Sequence, residues 1–220
     1  AHSTVSWTML RGLVALVLAS RHAQSYVGPV ALPRGRTSLS AAGGAGAGGA
    51  AAALPRGGMP SLSDDELARL AAEGRVERRS VAGRAGEAAV VVDSALAPEA
   101  VLAVLGDVPR WPSIMRGLRS ARVRGVDGGS VRAAFKVTKL RLPANLVVTP
   151  GGTVVTFGLD AAAPNVAVER LAGAWRVEPR DGGGCRVALT ASVEACRAVP
   201  RAAVDYVARK AMRRATEWLL

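Results

Sequence analysis

The sequence predicts an α+β domain in which a curved antiparallel sheet of about seven strands wraps around one long C-terminal helix. Apolar and polar residues alternate over much of residues 87–195, which is typical of strands with one buried and one exposed face. Glycine-rich turns such as Asp127-Gly128-Gly129-Ser130 separate these segments. Residues 200–219 then show an amphipathic helical pattern that can cover the buried face.

Two short helices are predicted after the first strand, residues 87–93. The first begins at Ala97-Pro98-Glu99, because proline fits the first helical turn and a carboxylate is favourable at its positive end. Gly106 ends it. The loop at residues 107–112 contains Trp111, and residues 113–115 can extend the second helix.

Six further strands are predicted by the alternation and by the turns between them. Residues 131–137 show it most clearly, with apolar side chains at the odd positions. The predicted strands are residues 118–126, 131–137, 140–148, 155–159, 171–177 and 185–195.

Residues 1–63 are predicted to be a disordered targeting leader and linker. The apolar run at residues 12–19 is much shorter than the ~20 residues that span a bilayer, and Arg11 precedes it, as in a signal-peptide core. Residues 20–63 lack acidic residues, which is typical of transit peptides. We therefore expect an organellar location, with a plastid favoured and a mitochondrion as the alternative. Residues 41–53 contain only Ala and Gly and predict a flexible linker.

A short helix is predicted at residues 64–75, opened by Ser63 and three acidic residues and ended near Gly74. We interpret this helix as a spacer, with docking on the domain as a lid the alternative.

The chain is strongly basic, with a formal net charge of +12 and a pI of about 11.3. Arginine supplies nearly all of this charge, since the only lysines are Lys136, Lys139 and Lys210. No nucleic-acid recognition motif accompanies it, so we do not expect nucleic-acid binding.

The scarcity of histidine and cysteine restricts the possible chemistry. His2 and His22 both lie in the leader, so residues 64–220 contain neither a Ser-His-Asp arrangement nor a histidine-containing metal site. Cys185 and Cys196 are eleven residues apart on one predicted strand and so face opposite sides, which predicts two free thiols. We expect no metal, no cofactor and no catalytic residue.

Two sequence motifs carry a resemblance to a known family. The first is Ala97-Pro98-Glu99, with Val101 and Val104, followed by residues 107–112. The second is Leu171-Ala172-Gly173-Ala174-Trp175-Arg176-Val177-Glu178-Pro179 before a glycine-rich turn.

In order and spacing these motifs resemble the START-like (SRPBCC, Bet v 1-like) superfamily with its helix-grip fold. They are most similar to its coenzyme Q-binding and polyketide cyclase/dehydrase branch. The resemblance covers about residues 76–220, which we assign as the domain. It implies that a hydrophobic ligand binds between the sheet and the C-terminal helix.

A cavity is also indicated by the residues themselves. Ala208, Ala211 and Ala215 are small where a filled core would need larger side chains. One possibility is an unfilled cavity of roughly 300–1,000 Å³, the usual volume of a ligand pocket. The other is that the sheet collapses onto the helix. Trp111 either gates the pocket mouth or fixes its loop to the core. The predicted lining residues are Trp111, Phe135, Val137, Phe157, Leu171, Trp175, Leu189, Val204, Val207, Ala208 and Ala211.

Three functions are compatible with this sequence. The preferred one is the binding, or carrying, of a hydrophobic small molecule such as a quinone, isoprenoid or lipid. An aromatase/cyclase-type enzyme is the alternative, and it would need a polar group in the cavity, with Asp205 and Tyr206 the first candidates. A ribosome- or protein-interaction module is the third. The basic face around Arg213 and Arg214 could contact an anionic membrane, although a solvated face is the preferred interpretation. The sequence does not predict an oligomeric state.

Overall fold

Eight strands form one antiparallel sheet in the order β1-β2-β8-β7-β6-β5-β4-β3. The computed structural model describes residues 58–137, 142–197, 199 and 201–220, without the side chains of residues 137, 142, 143, 201–203 and 205–209. The strands are β1 (Arg75–Ala82), β2 (Ala85–Ser94), β3 (Leu118–Asp127), β4 (Ser130–Val137), β5 (Leu142–Gly151), β6 (Val154–Leu159), β7 (Val168–Pro179) and β8 (Cys185–Ala195).

Four helices accompany the sheet in the described part of the chain: α1 (Asp64–Glu73), α2 (Pro98–Gly106), α3 (Trp111–Ile114) and α4 (Arg201–Thr216). Short 3₁₀ turns precede α3 and follow α4, at Val108–Arg110 and Glu217–Leu219. The predicted fold class is confirmed, because a curved antiparallel sheet is combined with two short helices and a long C-terminal helix.

The strand count is eight rather than about seven, because β1 lies at an edge of the sheet and has little apolar character. Val76 is its one fully buried residue, and Glu77 to Ala82 are exposed. A strand with so few buried positions lacks the alternation by which the other strands were predicted.

The two faces of the sheet have different cores. Val90, Val92 and Leu189 point to what we call the inner face, which carries the main core. Val91 and Ala188 point to the outer face, as strand alternation requires. Helix α4 packs against β1, β2 and β8, and its Met212 and Ala215 contact the inner core.

Helix α1 packs on the outer face. Its Leu70, which is only 1% exposed, lies in a cluster with Val76, Val91 and Ala188. The helix predicted as a spacer therefore packs against the outer face of the sheet. Met59 and Leu62, from the region assigned to the leader and linker, pack against the same cluster. The rest of that region, residues 1–57 with the predicted targeting signals and Ala/Gly segment, lies outside the described residues.

The start of α1 is fixed by a capping box and an ion pair. Glu66 accepts a hydrogen bond from the Ser63 backbone N–H (2.9 Å), and its own backbone N–H donates to the Ser63 hydroxyl (3.3 Å). Arg78 of β1 donates through Nε to the same carboxylate at 2.6 Å. The Arg78 hydrogen bond, followed by that of Ser63, lowers the pKa of Glu66 to about 2.

Ser94 connects the end of β2 to the C-terminal turn. Its buried hydroxyl donates to the Leu219 carbonyl oxygen at 2.6 Å. This bond holds the turn that follows α4 against the inner side of the sheet, and so helps to fix where the long helix ends.

Both cysteines are free thiols, as predicted. Cys185 is buried in the inner core, and this burial raises the pKa of its thiol. Cys196 Sγ donates to the Val166 carbonyl oxygen at 3.2 Å. In the described part of the chain, no helix combines the length and the apolar character needed to cross a bilayer.

Gly173 allows a close approach between β6 and β7. It pairs directly with Phe157, and a Cβ at this position would overlap the Phe157 ring and lie 2.7 Å from the Thr190 backbone oxygen. The aromatic ring therefore occupies the space that a side chain would take. This accounts physically for the glycine within the Leu171–Pro179 segment.

We expect the carboxyl group of Glu66 to titrate with a pKa of about 2, below its ordinary 4.5. Because the folded-state pKa is the lower one, the ion pair stabilises the fold above pH 4.5, and this contribution is lost as the pH falls towards 2. Carbon NMR titration of the glutamate carboxyls measures it. Arg78→Gln should return the value towards 4.5, whereas Arg79→Gln, on the same strand, should not. A wild-type value near 4.5 would contradict the ion pair.

Gly173→Ala should lower the free energy of unfolding by about 1–3 kcal/mol, because the new methyl group overpacks a site bounded by backbone. Urea denaturation measures this change. Gly125→Ala is the matched control, since a Cβ at this strand position meets nothing within 4 Å. Equal stability of the two variants would show that the close approach at Gly173 has no energetic consequence.

Candidate ligand-binding cavity

A cavity of about 240 Å³ lies between the inner face of the sheet, the segment around α3, and α4. The strands contribute side chains that alternation places on the inner face, including Trp175 of β7 and Leu189 of β8. Trp111 of α3 and Ala211 of α4 line it from the helical side. Its volume is somewhat below the roughly 300–1,000 Å³ usual for a ligand pocket.

Small side chains on α4 explain why the space is not filled. Ala211 and Ala215 are one helical turn apart and both line the cavity, with Met212 beside them. The opposing strands contribute Ala88 and Ala191, which are neighbours in the β2–β8 register and are also small. The sheet therefore does not collapse fully onto the helix, which was the alternative to a cavity.

Trp111 forms a fixed wall of this cavity. Its indole N–H donates to the Leu105 carbonyl oxygen at 3.1 Å, and its ring stacks on Phe135 with centroids 5.6 Å apart. It is only 4% exposed. These contacts fix the loop to the core, so of the two interpretations of Trp111 the structure favours anchoring over gating.

The structure brings six of the predicted lining residues together around the cavity: Trp111, Phe157, Leu171, Trp175, Leu189 and Ala211. Phe135 and Val204 are buried but are not among its lining residues. Val137, Val207 and Ala208 have side chains outside the described part of the structure.

Several lining residues were missed by the sequence analysis. Four of them are strand residues on the inner face: Leu118, Leu146, Ala191 and Val193. Ala191 and Val193 follow the predicted Leu189 at intervals of two residues, so strand alternation would have identified them. Met115 and Gly117 also line the cavity. They lie in an irregular segment between α3 and β3, so no periodic signal identifies them.

Four of the described lining residues are charged, namely Glu87, Arg116, Lys210 and Arg214. Arg116 has a side chain that is 82% exposed and lies 3.4 Å from Glu217, measured from Nη1 to Oε2. Charged groups that meet water at the edge of an apolar cavity can orient a ligand, whereas the apolar walls supply the driving force for its binding.

A larger hollow of about 440 Å³ lies on the other side of β1, β2 and β8, and Arg78, Ser80 and Thr190 are among its lining residues. Its residues on β1 are exposed. A hydrophobic ligand there would remain in contact with water and polar groups, so the smaller inner cavity is the better candidate.

Comparison with known proteins agrees with this geometry. Residues 85–219 match the family described as polyketide cyclase/dehydrase and lipid transport. No curated protein matches the chain significantly.

Similar folds occur among solved structures. A START superfamily protein from Mycobacterium smegmatis is 11% identical with a TM-score of 0.50, over 60% of this chain and 93% of that one. A STAR-related lipid transfer protein from Xanthomonas axonopodis is 15% identical with a TM-score of 0.53, over 67% and 94%. An aromatase/cyclase from a Streptomyces species has a TM-score of 0.48 at 14% identity, over 64% and 87%.

At these identities the first two structural matches show a shared fold only, and the third, with a TM-score below 0.5, supports no conclusion. The family match, by contrast, covers more than half of the chain and confirms the resemblance to the superfamily, while the coenzyme Q-binding branch stays a prediction. The chain therefore belongs to the polyketide cyclase/dehydrase and lipid transport family of the START-like superfamily.

Proposed function

We propose that this protein binds a hydrophobic small molecule in the cavity between the inner face of its sheet and α4. The observation that carries the proposal is the apolar lining, which includes Trp111, Phe157 and Trp175. Each methylene group that a ligand buries against such walls contributes about 0.8 kcal/mol. The family description, which names lipid transport, supports the same conclusion.

The ligand classes we propose are a quinone, an isoprenoid or a lipid. The volume of about 240 Å³ favours a compact ring or a short chain, so a longer tail would have to extend out of the cavity. Peripheral contact with an anionic membrane is part of the same proposal, because Arg214 lies at the cavity and Arg213 beside it on α4 is exposed.

An aromatase/cyclase-type enzyme is the second candidate, because the family description also names polyketide cyclases and dehydrases. Such a reaction needs a positioned group that transfers protons. Among the described lining residues the polar side chains are the four charged ones. The two residues that the sequence suggested for this role, Asp205 and Tyr206, have side chains outside the described part.

Filling the cavity should abolish ligand binding. Ala211→Phe and Ala215→Phe each place a ring where the ligand would lie, and we expect affinity to fall at least about tenfold, or ~1.4 kcal/mol. Ala72→Phe, on an exposed position of α1, is the matched control and should bind as the wild type does.

The measurement is mass spectrometry of small molecules that co-purify with the full chain, followed by titration of tryptophan fluorescence, since Trp111 and Trp175 line the cavity. Circular dichroism verifies that each variant is folded. Folded variants that retain wild-type affinity would place the ligand elsewhere, and a wild-type protein that binds no quinone, isoprenoid or lipid would refute the proposal.

A further inference from the structure

Of the charged residues that line the cavity in the described part of the chain, those that point to the inner side of the sheet are cationic. Glu87 is a lining residue, but its neighbours Gly86 and Ala88 share the inward register of Val90 and Val92. Strand alternation therefore directs the Glu87 side chain to the outer face. This leaves Arg116, Lys210 and Arg214 as the described charged side chains that border the apolar space.

These cations come from two walls that meet at one place. Lys210 and Arg214 are one turn apart on α4 and adjacent to the lining residues Ala211 and Ala215. Arg116, from the segment after α3, forms an ion pair with Glu217, three residues beyond Arg214. Arg116 therefore lies beside the 3₁₀ turn that follows α4, and its 82% exposed side chain marks where the cavity reaches solvent.

We infer that the ligand is an amphipathic anion, with a carboxylate or phosphate head at these cations and a short apolar body in the cavity. This inference rests on the proposed function and specifies its ligand class. A guanidinium group donates paired hydrogen bonds to a carboxylate or phosphate, and such charge-assisted bonds are roughly twice as strong as neutral ones. An uncharged ligand lacks the negative charge that would complement these cations.

Glu217 has a defined part in this arrangement. Its carboxylate pairs with Arg116 and so occupies a donor that the ligand head would use. Binding exchanges one carboxylate for another at Arg116, so the two anions compete. Removal of the Glu217 charge should therefore tighten the binding of an anionic ligand and leave that of a neutral one unchanged.

The test compares straight-chain carboxylates of about 4 to about 14 carbons with their methyl esters and with alkyl phosphates, titrated into the full chain by calorimetry and tryptophan fluorescence. Affinity for the acids should rise about fourfold per methylene until the cavity is full. The acids and phosphates should bind at least about tenfold more tightly than the esters of equal length. This preference should weaken between about 50 and about 500 mM salt.

Substitutions of single charged residues test the contribution of each cation separately. Arg116→Gln and Arg214→Gln should each reduce the preference for acid over ester severalfold, whereas Arg213→Gln, the exposed neighbour that does not line the cavity, should retain it. Glu217→Gln should tighten acid binding severalfold and leave ester binding unchanged; no change would overturn the competition at Arg116.

Each remaining outcome has a distinct meaning. If acid and ester bind equally well to the wild type, the anionic-ligand inference fails while the proposed function stands. If neither they nor any neutral hydrophobic ligand binds, the proposed function fails and the inference fails with it. If Arg116→Gln and Arg214→Gln lose binding to phosphatidylserine vesicles but keep the acid preference, the cations serve membrane contact and the inference is overturned.

Discussion

The structure depends on one constraint, namely that the apolar inner face of the sheet must be covered. A one-sided antiparallel sheet is stable only when another element removes that face from water. Helix α4 packs on β1, β2 and β8, and α2 with α3 covers other parts of the same core through Val101, Leu105 and Trp111. The cover is incomplete, because the α4 side chains at the centre of the contact are alanines. The cavity is the volume that this incomplete cover leaves.

The walls of the cavity are held by contacts within the protein itself. Trp111 is held by a hydrogen bond and by stacking on Phe135. Phe157 lies over Gly173, where no side chain interferes. Ser94 holds the turn after α4 through the Leu219 carbonyl. Such fixed walls would spare the proposed ligand much of the entropic cost of ordering side chains on binding.

The periodic parts of the fold were predictable, and the irregular parts were not. Alternation identified the inner-face residues Phe157, Leu171, Trp175 and Leu189 because every second residue of a strand shares a face. It could not separate Phe135, which lies in the filled core, from these cavity residues, because both kinds share the inner face. It also missed the edge strand β1, and it gave no signal for Met115 or Arg116 in the segment after α3. The packing of α1 on the sheet could not be derived from its local sequence, because the outer-face cluster around Leu70 brings together residues distant in sequence.

The sequence by itself determined the fold class, the family resemblance, the two free thiols and the small residues facing the sheet from α4, since each depends on local pattern or composition. Only the tertiary structure decided how much space those alanines leave, that Trp111 is an anchored wall, and that Arg116 meets the turn that follows α4. The physical reason is that cavity volume and charge placement depend on distances between elements far apart in the chain. Helical and strand periods specify which way a side chain points, but the packing of the elements specifies what it meets.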